Sequence, residues 1–351
     1  MSNAVVGSRE LDRGPGRGAD GAAPRSLAYR VFLLAVFVMP LQLEIDAFTS
    51  VAETRLPPGD LLLAVSILLA PSSLRLNRSA VALVPILMIA TLAYGVVIAI
   101  AFEGGVSNHA ILVKLLGAVV LVFWFMVTAS HVRAGRGPEI LAWWLAGMVV
   151  WGVVAYIDWK VVDFVPFVEA KVRSRFGGMQ YDPNNAGAAY AVAVIVIWRY
   201  GHRLFRPIIG LPMAGILLWF LVLTYSRGAF VSLAVGVVAV LAVAHVGASR
   251  WARYLVLAVV LFVLGLATGL IQGAVEDVGS RPDTVEARDE LVGGAMDLFV
   301  ESDGVGIGLG TYRERAPQIV HNTAVWLVVE MSIVGVLLAV VGVIGLWGVG
   351  F

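Results

Sequence analysis

Cysteine is missing from all 351 residues, which excludes disulfides, thiolate metal sites and a cysteine nucleophile. Lysine is nearly missing too: Lys114, Lys160 and Lys171 are the only three, so almost all basic charge is arginine. Charge of either sign is scarce, at 14% of residues, where a soluble domain carries about 25%. The net charge of +1 gives no global field that marks a nucleic-acid partner. In place of charge the chain carries 60% hydrophobic residues and a mean hydropathy of +0.89. That is more apolar surface than a soluble core of this size hides, and lipid is the solvent that accepts it.

The first 26 residues are rich in Gly, Arg and Ala, without periodicity, and read as a disordered cytoplasmic tail rather than a secretory signal. From there on, apolar runs recur at 27–43, 59–71, 80–102, 109–129, 138–158, 184–198, 207–225, 228–246 and 251–272, with a final long run at 323–351. About 20 apolar residues cross a bilayer core, so the pattern predicts an all-α polytopic bundle of about 10–11 transmembrane helices. The run 59–71 is short and carries Asp60 near its start, which suits a helix that is tilted or held among its neighbours.

Arginine placement orients the bundle, because short cytoplasmic loops retain basic residues. A cytoplasmic N-terminus puts Arg9, Arg13, Arg17, Arg25 and Arg30 inside, then Arg75 and Arg78, Arg133 and Arg136, Arg199, Arg203 and Arg206, and Arg250 and Arg253. The short outer loops at 44–58 and 103–108 then hold only Arg55. Two longer outer connections break the pattern. The loop 159–183 carries Lys160, Lys171, Arg173 and Arg175; the loop 273–322 carries Arg281, Arg288, Arg313 and Arg315 beside acids such as Asp283, Glu286 and Glu314. Cations gathered on the outer face invite an anionic ligand; pairing with nearby acids is the structural alternative.

Several short motifs fall on that face. In Arg175-Phe-Gly-Gly-Met-Gln-Tyr-Asp-Pro-Asn184, Asp182 and Pro183 form a helix start, while Gly177 and Gly178 permit close backbone approach. The preceding stretch 161–172 mixes apolar and charged residues as a short interfacial helix would. Tyr225-Ser226-Arg227-Gly228 makes a turn in which Ser226 caps the next helix. Gly304-Val-Gly306-Ile-Gly308-Leu-Gly310 has the wrong spacing for a dinucleotide loop and reads as a glycine-rich turn packed against the membrane face. His321-Asn322 opens the last apolar run, where Asn322 or Thr323 suits a helix cap. Glu330 lies about two turns deeper, and an intramembrane acid is a functional candidate by default. Asp60 and Lys114 belong to the same category, with mutual pairing as the simpler account.

In this order the motifs resemble the O-antigen ligase and Wzy-type O-antigen polymerase superfamily. The carrying residues are Arg175…Gly178…Pro183-Asn184, Ser226-Arg227-Gly228, Arg288, Gly306-Ile-Gly308-Leu-Gly310-Thr-Tyr312, His321-Asn322 and Glu330…Gly335. Arg288 is followed by Asp-Glu-Leu-Val where members carry an aromatic, and Glu301-Ser-Asp303 replaces their His-Pro. The chain also ends within an apolar run, at Phe351, short of where such proteins usually end. The resemblance implies one transmembrane domain over 27–351, of GT-C-like glycosyltransferase architecture, in the cytoplasmic (inner) membrane. It implies transfer of a glycan from a polyprenyl-pyrophosphate donor to a hydroxyl on an acceptor glycan, lipid or protein, with inversion and with no metal or cofactor. Arg175 and Arg288 would then clamp the pyrophosphate with His321 as general base. Arg173, Arg227, Asn184, Asn322, Tyr312 and Glu330 would bind substrate. A transporter and a non-catalytic scaffold are the other classes such a bundle supports, and ligation and polymerisation remain equal alternatives within the superfamily.

Overall fold

The computed structural model describes residues 26–41, 57–74, 83–101, 108–161, 171–172, 175–180, 182–243, 283–315 and 325–337. Among them the chain is all-α apart from one small hairpin. The first eight apolar runs are all helical: α1 (Leu27–Val38), α2 (Pro58–Leu69), α3 (Leu83–Ala101), α4 (Asn108–His131), α5 (Gly137–Lys160), α6 (Pro183–Leu204), α7 (Pro207–Leu223) and α8 (Arg227–Val243). The run 251–272 lies outside the described residues. Beyond it come α9 (Asp283–Glu301), the short α10 (Thr311–Arg315) and α11 (Val325–Leu337). One continuous helical stretch, Leu115–Lys160, is long and apolar enough by itself to cross a membrane. It contains most of α4 and all of α5, joined through a kink at Gly135, whose φ of 78° no ordinary helical residue adopts.

Helix starts follow local chemistry. Ser26 caps α1 by accepting from the Tyr29 amide, and proline occupies the first turn of α2, α5, α6 and α7, where its missing N–H costs nothing. Small residues let the helices approach closely. A Cβ on Gly147 of α5 would overlap the Phe37 backbone of α1, and one on Gly59 of α2 would lie 3.1 Å from the Ala35 carbonyl. Polar ties reinforce these contacts: Ser66 Oγ donates to the Ala28 carbonyl at 2.9 Å and Trp151 Nε1 to that of Phe37 at 3.0 Å. Asp60, which the sequence offers to Lys114, accepts from Trp124 Nε1 at 2.7 Å; the Lys114 side chain lies outside the described part.

Two expectations are corrected, and a third falls mostly outside the described residues. Of the stretch 161–172, expected as an interfacial helix, residues 162–170 are not among those described. At its end Lys171–Val172 forms β1, antiparallel to β2 (Arg175–Phe176), with Val172 opposite Arg175. Its anchor is Phe176, fully buried among Trp159, Tyr190 and Phe220, with ring centroids 5.4–6.3 Å away. A buried aromatic at that position draws the backbone into the bundle between α5, α6 and α7.

The connection 273–322 is not simply a loop, since 19 of its residues form α9. That helix is amphipathic: Leu291, Val292, Ala295, Leu298 and Phe299 repeat at helical spacing and join a core with Ile307, Tyr312 and Val329. Arg315 closes part of the charge balance by approaching Glu301 at 3.9 Å.

The glycine-rich turn does not face the membrane. Gly306 through Tyr312 are all buried, threaded between α3 and α11. The amides of Ile307 and Gly308 donate to the carbonyls of Val329 and Glu330, and the Leu309 amide to that of Gly95, each at 2.9 Å. Those α11 acceptors sit beside a break in the helix at Ser332, whose φ is 55°.

Candidate functional site

Two of the sequence motifs converge on one hydrogen-bonded junction. The β-hairpin supplies Arg175, the first turn of α6 supplies Asn184, and the α7–α8 turn supplies Thr224 and Ser226. Arg175 Nε donates to the Thr224 carbonyl at 2.8 Å, and Nη2 of the same guanidinium donates to Asn184 Oδ1 at 3.1 Å. Ser226 Oγ donates to that same Asn184 oxygen, also at 3.1 Å. One amide oxygen therefore joins two motifs 42 residues apart.

Local sequence explains why each group is where it is. Asp182 caps α6, its Oδ1 accepting from the Asn184 amide at 2.8 Å, so Asn184 sits in the first turn with its side chain exposed. Ser226 caps α8 by accepting from the Ala229 amide at 3.3 Å and is itself 1% exposed. Thr224 ends α7 with its hydroxyl turned back onto the Leu221 carbonyl at 2.7 Å, and Tyr225 takes the left-handed conformation that reverses the chain. Two glycines make room. A Cβ on Gly187 would meet the Ala229 Cβ at 2.7 Å and Thr224 Oγ1 at 2.8 Å, so only glycine lets α6 lie this close to the turn. Gly178, at φ 57°, would place a Cβ 2.7 Å from the Tyr190 hydroxyl.

Chemically this is a half-buried guanidinium held from behind, with an exposed amide beside it. Such a fork binds phosphate or carboxylate oxygens in two-point fashion. Comparison with protein-family models, with curated proteins and with solved structures gives no match. Only the side chains themselves speak to the chemistry of the site.

The other expected site residues fall in different places. Arg227 is the first residue of α8 and Arg288 lies on α9, but their side chains are outside the described part. Arg173, His321 and Asn322 lie outside the described residues altogether. Tyr312 is 1% exposed and packs with Ala295, Ile307 and Val329; Glu330 is 2% exposed on α11. The structure thus brings Arg175 and Asn184 together and leaves Tyr312 in a hydrophobic core. Sequence reading missed Thr224, which acts through a backbone carbonyl and carries no signal in residue type. Ser226 is read from the sequence as a helix cap and as part of the Ser226-Arg227-Gly228 motif; its bond to Asn184 carries no sequence signal.

Proposed function

We propose that the chain is an integral membrane glycosyltransferase of the O-antigen ligase and polymerase type, working at the outer face of the cytoplasmic membrane. The observation that carries this reading is the junction of Arg175, Asn184 and Ser226, because two motifs of the superfamily meet there through direct hydrogen bonds. Apolar side chains exposed along the helices, such as Leu68, Ile100, Ile208 and Leu211, suit a surface bathed in lipid tails.

In this reading the donor is a glycan on polyprenyl pyrophosphate. The acceptor hydroxyl attacks the anomeric carbon and loses its proton to His321 as the new C–O bond forms. The bond from that carbon to the pyrophosphate oxygen breaks, and polyprenyl pyrophosphate departs with the electron pair. Attack opposite the leaving group inverts the centre. Pyrophosphate is a good leaving group once its charge is met, and arginine stays protonated at any working pH. Arg175 and Arg288 are assigned that neutralising role, with Arg173 and Arg227 supporting it and Asn184 and Asn322 binding substrate; the buried Tyr312 and Glu330 are left out of the substrate path.

The deciding experiment reconstitutes the protein in vesicles with a polyprenyl-pyrophosphate-linked glycan and a hydroxyl acceptor. The expected result is a longer or newly capped acceptor together with released polyprenyl pyrophosphate. Solute uptake without transfer would identify a transporter, and neither activity would leave a scaffold.

Orientation has its own test, and the absence of cysteine makes it clean. Tyr225→Cys is exposed beside the proposed site and Ala134→Cys is exposed at the opposite end of the helices. A membrane-impermeant maleimide is expected to label Tyr225→Cys in intact cells and Ala134→Cys only after permeabilisation. The reverse pattern turns the protein over and removes the site from the face where the lipid-linked glycan is used.

A further inference from the structure

We infer that Ser226 is a positioning residue that turns the Asn184 amide so that its NH2 group, not its carbonyl, faces the ligand. The inference rests on the proposed function and names the kind of group the site accepts: an oxyanion such as the donor's pyrophosphate, met only by N–H donors.

The geometry leaves little freedom. A guanidinium has donors and no acceptor, so the atom of Asn184 that meets Arg175 Nη2 at 3.1 Å must be oxygen. The Ser226 hydroxyl oxygen already accepts from the Ala229 amide, which leaves its proton to donate. That proton goes to the same Asn184 oxygen at 3.1 Å. Both bonds fall on Oδ1, so Nδ2 with its two hydrogens points the other way. Asn184 is exposed and Ser226 is buried, so the side of the amide away from Ser226 is the open one. Asp182, two residues before it, turns an oxygen onto the backbone amide of Asn184 at 2.8 Å. Without Ser226 the amide oxygen keeps, among the described residues, its bond from Arg175 alone, and rotation away from the guanidinium would offer a carbonyl to an anion.

Asn184→Asp separates this role from a merely structural one. The carboxylate keeps an oxygen for both Arg175 and Ser226, so the junction survives with an added charge pair. The outward NH2, however, becomes an anionic oxygen. A structural role predicts unchanged or tighter packing and unchanged ligand affinity. The positioning role predicts a loss of affinity of about tenfold or more, the scale of a hydrogen bond to a charged group. Binding is read on the full chain in lipid nanodiscs with polyprenyl pyrophosphate, with inorganic pyrophosphate as a second arm to separate the anion from its lipid tail. Ser226→Ala is expected to weaken the same binding by a smaller factor and to raise KM more than it lowers kcat. Ser226→Thr keeps the hydroxyl and is expected to restore both.

Wild-type affinity in Asn184→Asp overturns the inference, as does a failure of Ser226→Thr to recover what Ser226→Ala loses. If the wild type binds either pyrophosphate but transfers no glycan, the enzymatic reading fails while the amide's orientation is still decided by Asn184→Asp. A wild type that binds neither overturns both.

Discussion

Replacing Arg175 with alanine is expected to lower glycan transfer by about 10²–10³, the usual cost of removing one charge-stabilising contact from a reacting centre. The guanidinium is anchored on one edge by the Thr224 carbonyl and at one terminal nitrogen by Asn184, which aims the charge before substrate arrives. A group aimed in advance does not have to reorganise as charge builds on the leaving pyrophosphate. Arg175→Lys should recover little. An ammonium keeps the charge but has no planar fork, so it cannot hold the Thr224 carbonyl, Asn184 and a phosphate oxygen at fixed angles. The measurement is product formed per minute in reconstituted vesicles, with the thermal midpoint of each variant as the folding control. Arg288→Ala and His321→Ala are expected to fall by similar factors. Near-normal transfer in all three variants, with normal midpoints, removes the pyrophosphate assignment.

Much of the helix pattern was legible because the helices coincide with long apolar runs, which residue type alone discloses. One helix start was legible for a different reason: Asp182-Pro183 is a start signal whose mechanism is local, whereas the Ser26 cap and the first-turn Pro58 are seen only in the structure. What hydropathy missed was α9, where Asp283, Glu286, Asp289 and Glu290 hide an apolar stripe running from Leu291 to Phe299. An averaging window sees the charge; only the helical spacing shows the stripe. The hairpin at Lys171–Phe176 was missed because Phe176 is drawn in by Tyr190 and Phe220, partners 14 and 44 residues away. In the site, the residue types were readable and their bonding was not. Arg175 and Asn184 carry chemistry by type, but the Thr224 carbonyl belongs to a backbone that any residue would offer. The burial of Tyr312 was equally invisible, since the resemblance assigns it to substrate and only its packing with Ala295, Ile307 and Val329 shows it in a core.

The largest effect on stability is expected at Gly308. Its φ of 93° lies in a region that side-chain-bearing residues avoid, and an added Cβ would overlap the backbone of Ala99 in α3. Both penalties apply at once: backbone strain costs about 1–3 kcal/mol and overpacking a similar amount, so Gly308→Ala should lose about 3 kcal/mol or more. Relief by movement is also obstructed. Shifting the turn from α3 breaks the bond from Leu309 to Gly95, and shifting it toward α11 presses Gly306, whose Cβ would lie 2.9 Å from the Glu330 carbonyl. Tyr94 adds a further tie, its hydroxyl within 3.1 Å of Ser332 Oγ and donating to the Val305 carbonyl at 3.3 Å. Gly293 supplies the internal comparison. It lies within α9 with open space where a Cβ would go, so Gly293→Ala should gain about 0.5–1 kcal/mol from helix propensity alone. Thermal unfolding of the two variants in the same nanodiscs is expected to move in opposite directions. A Gly308→Ala protein as stable as the wild type would mean that the turn is not wedged between α3 and α11, and that Glu330 is not held in place by its backbone.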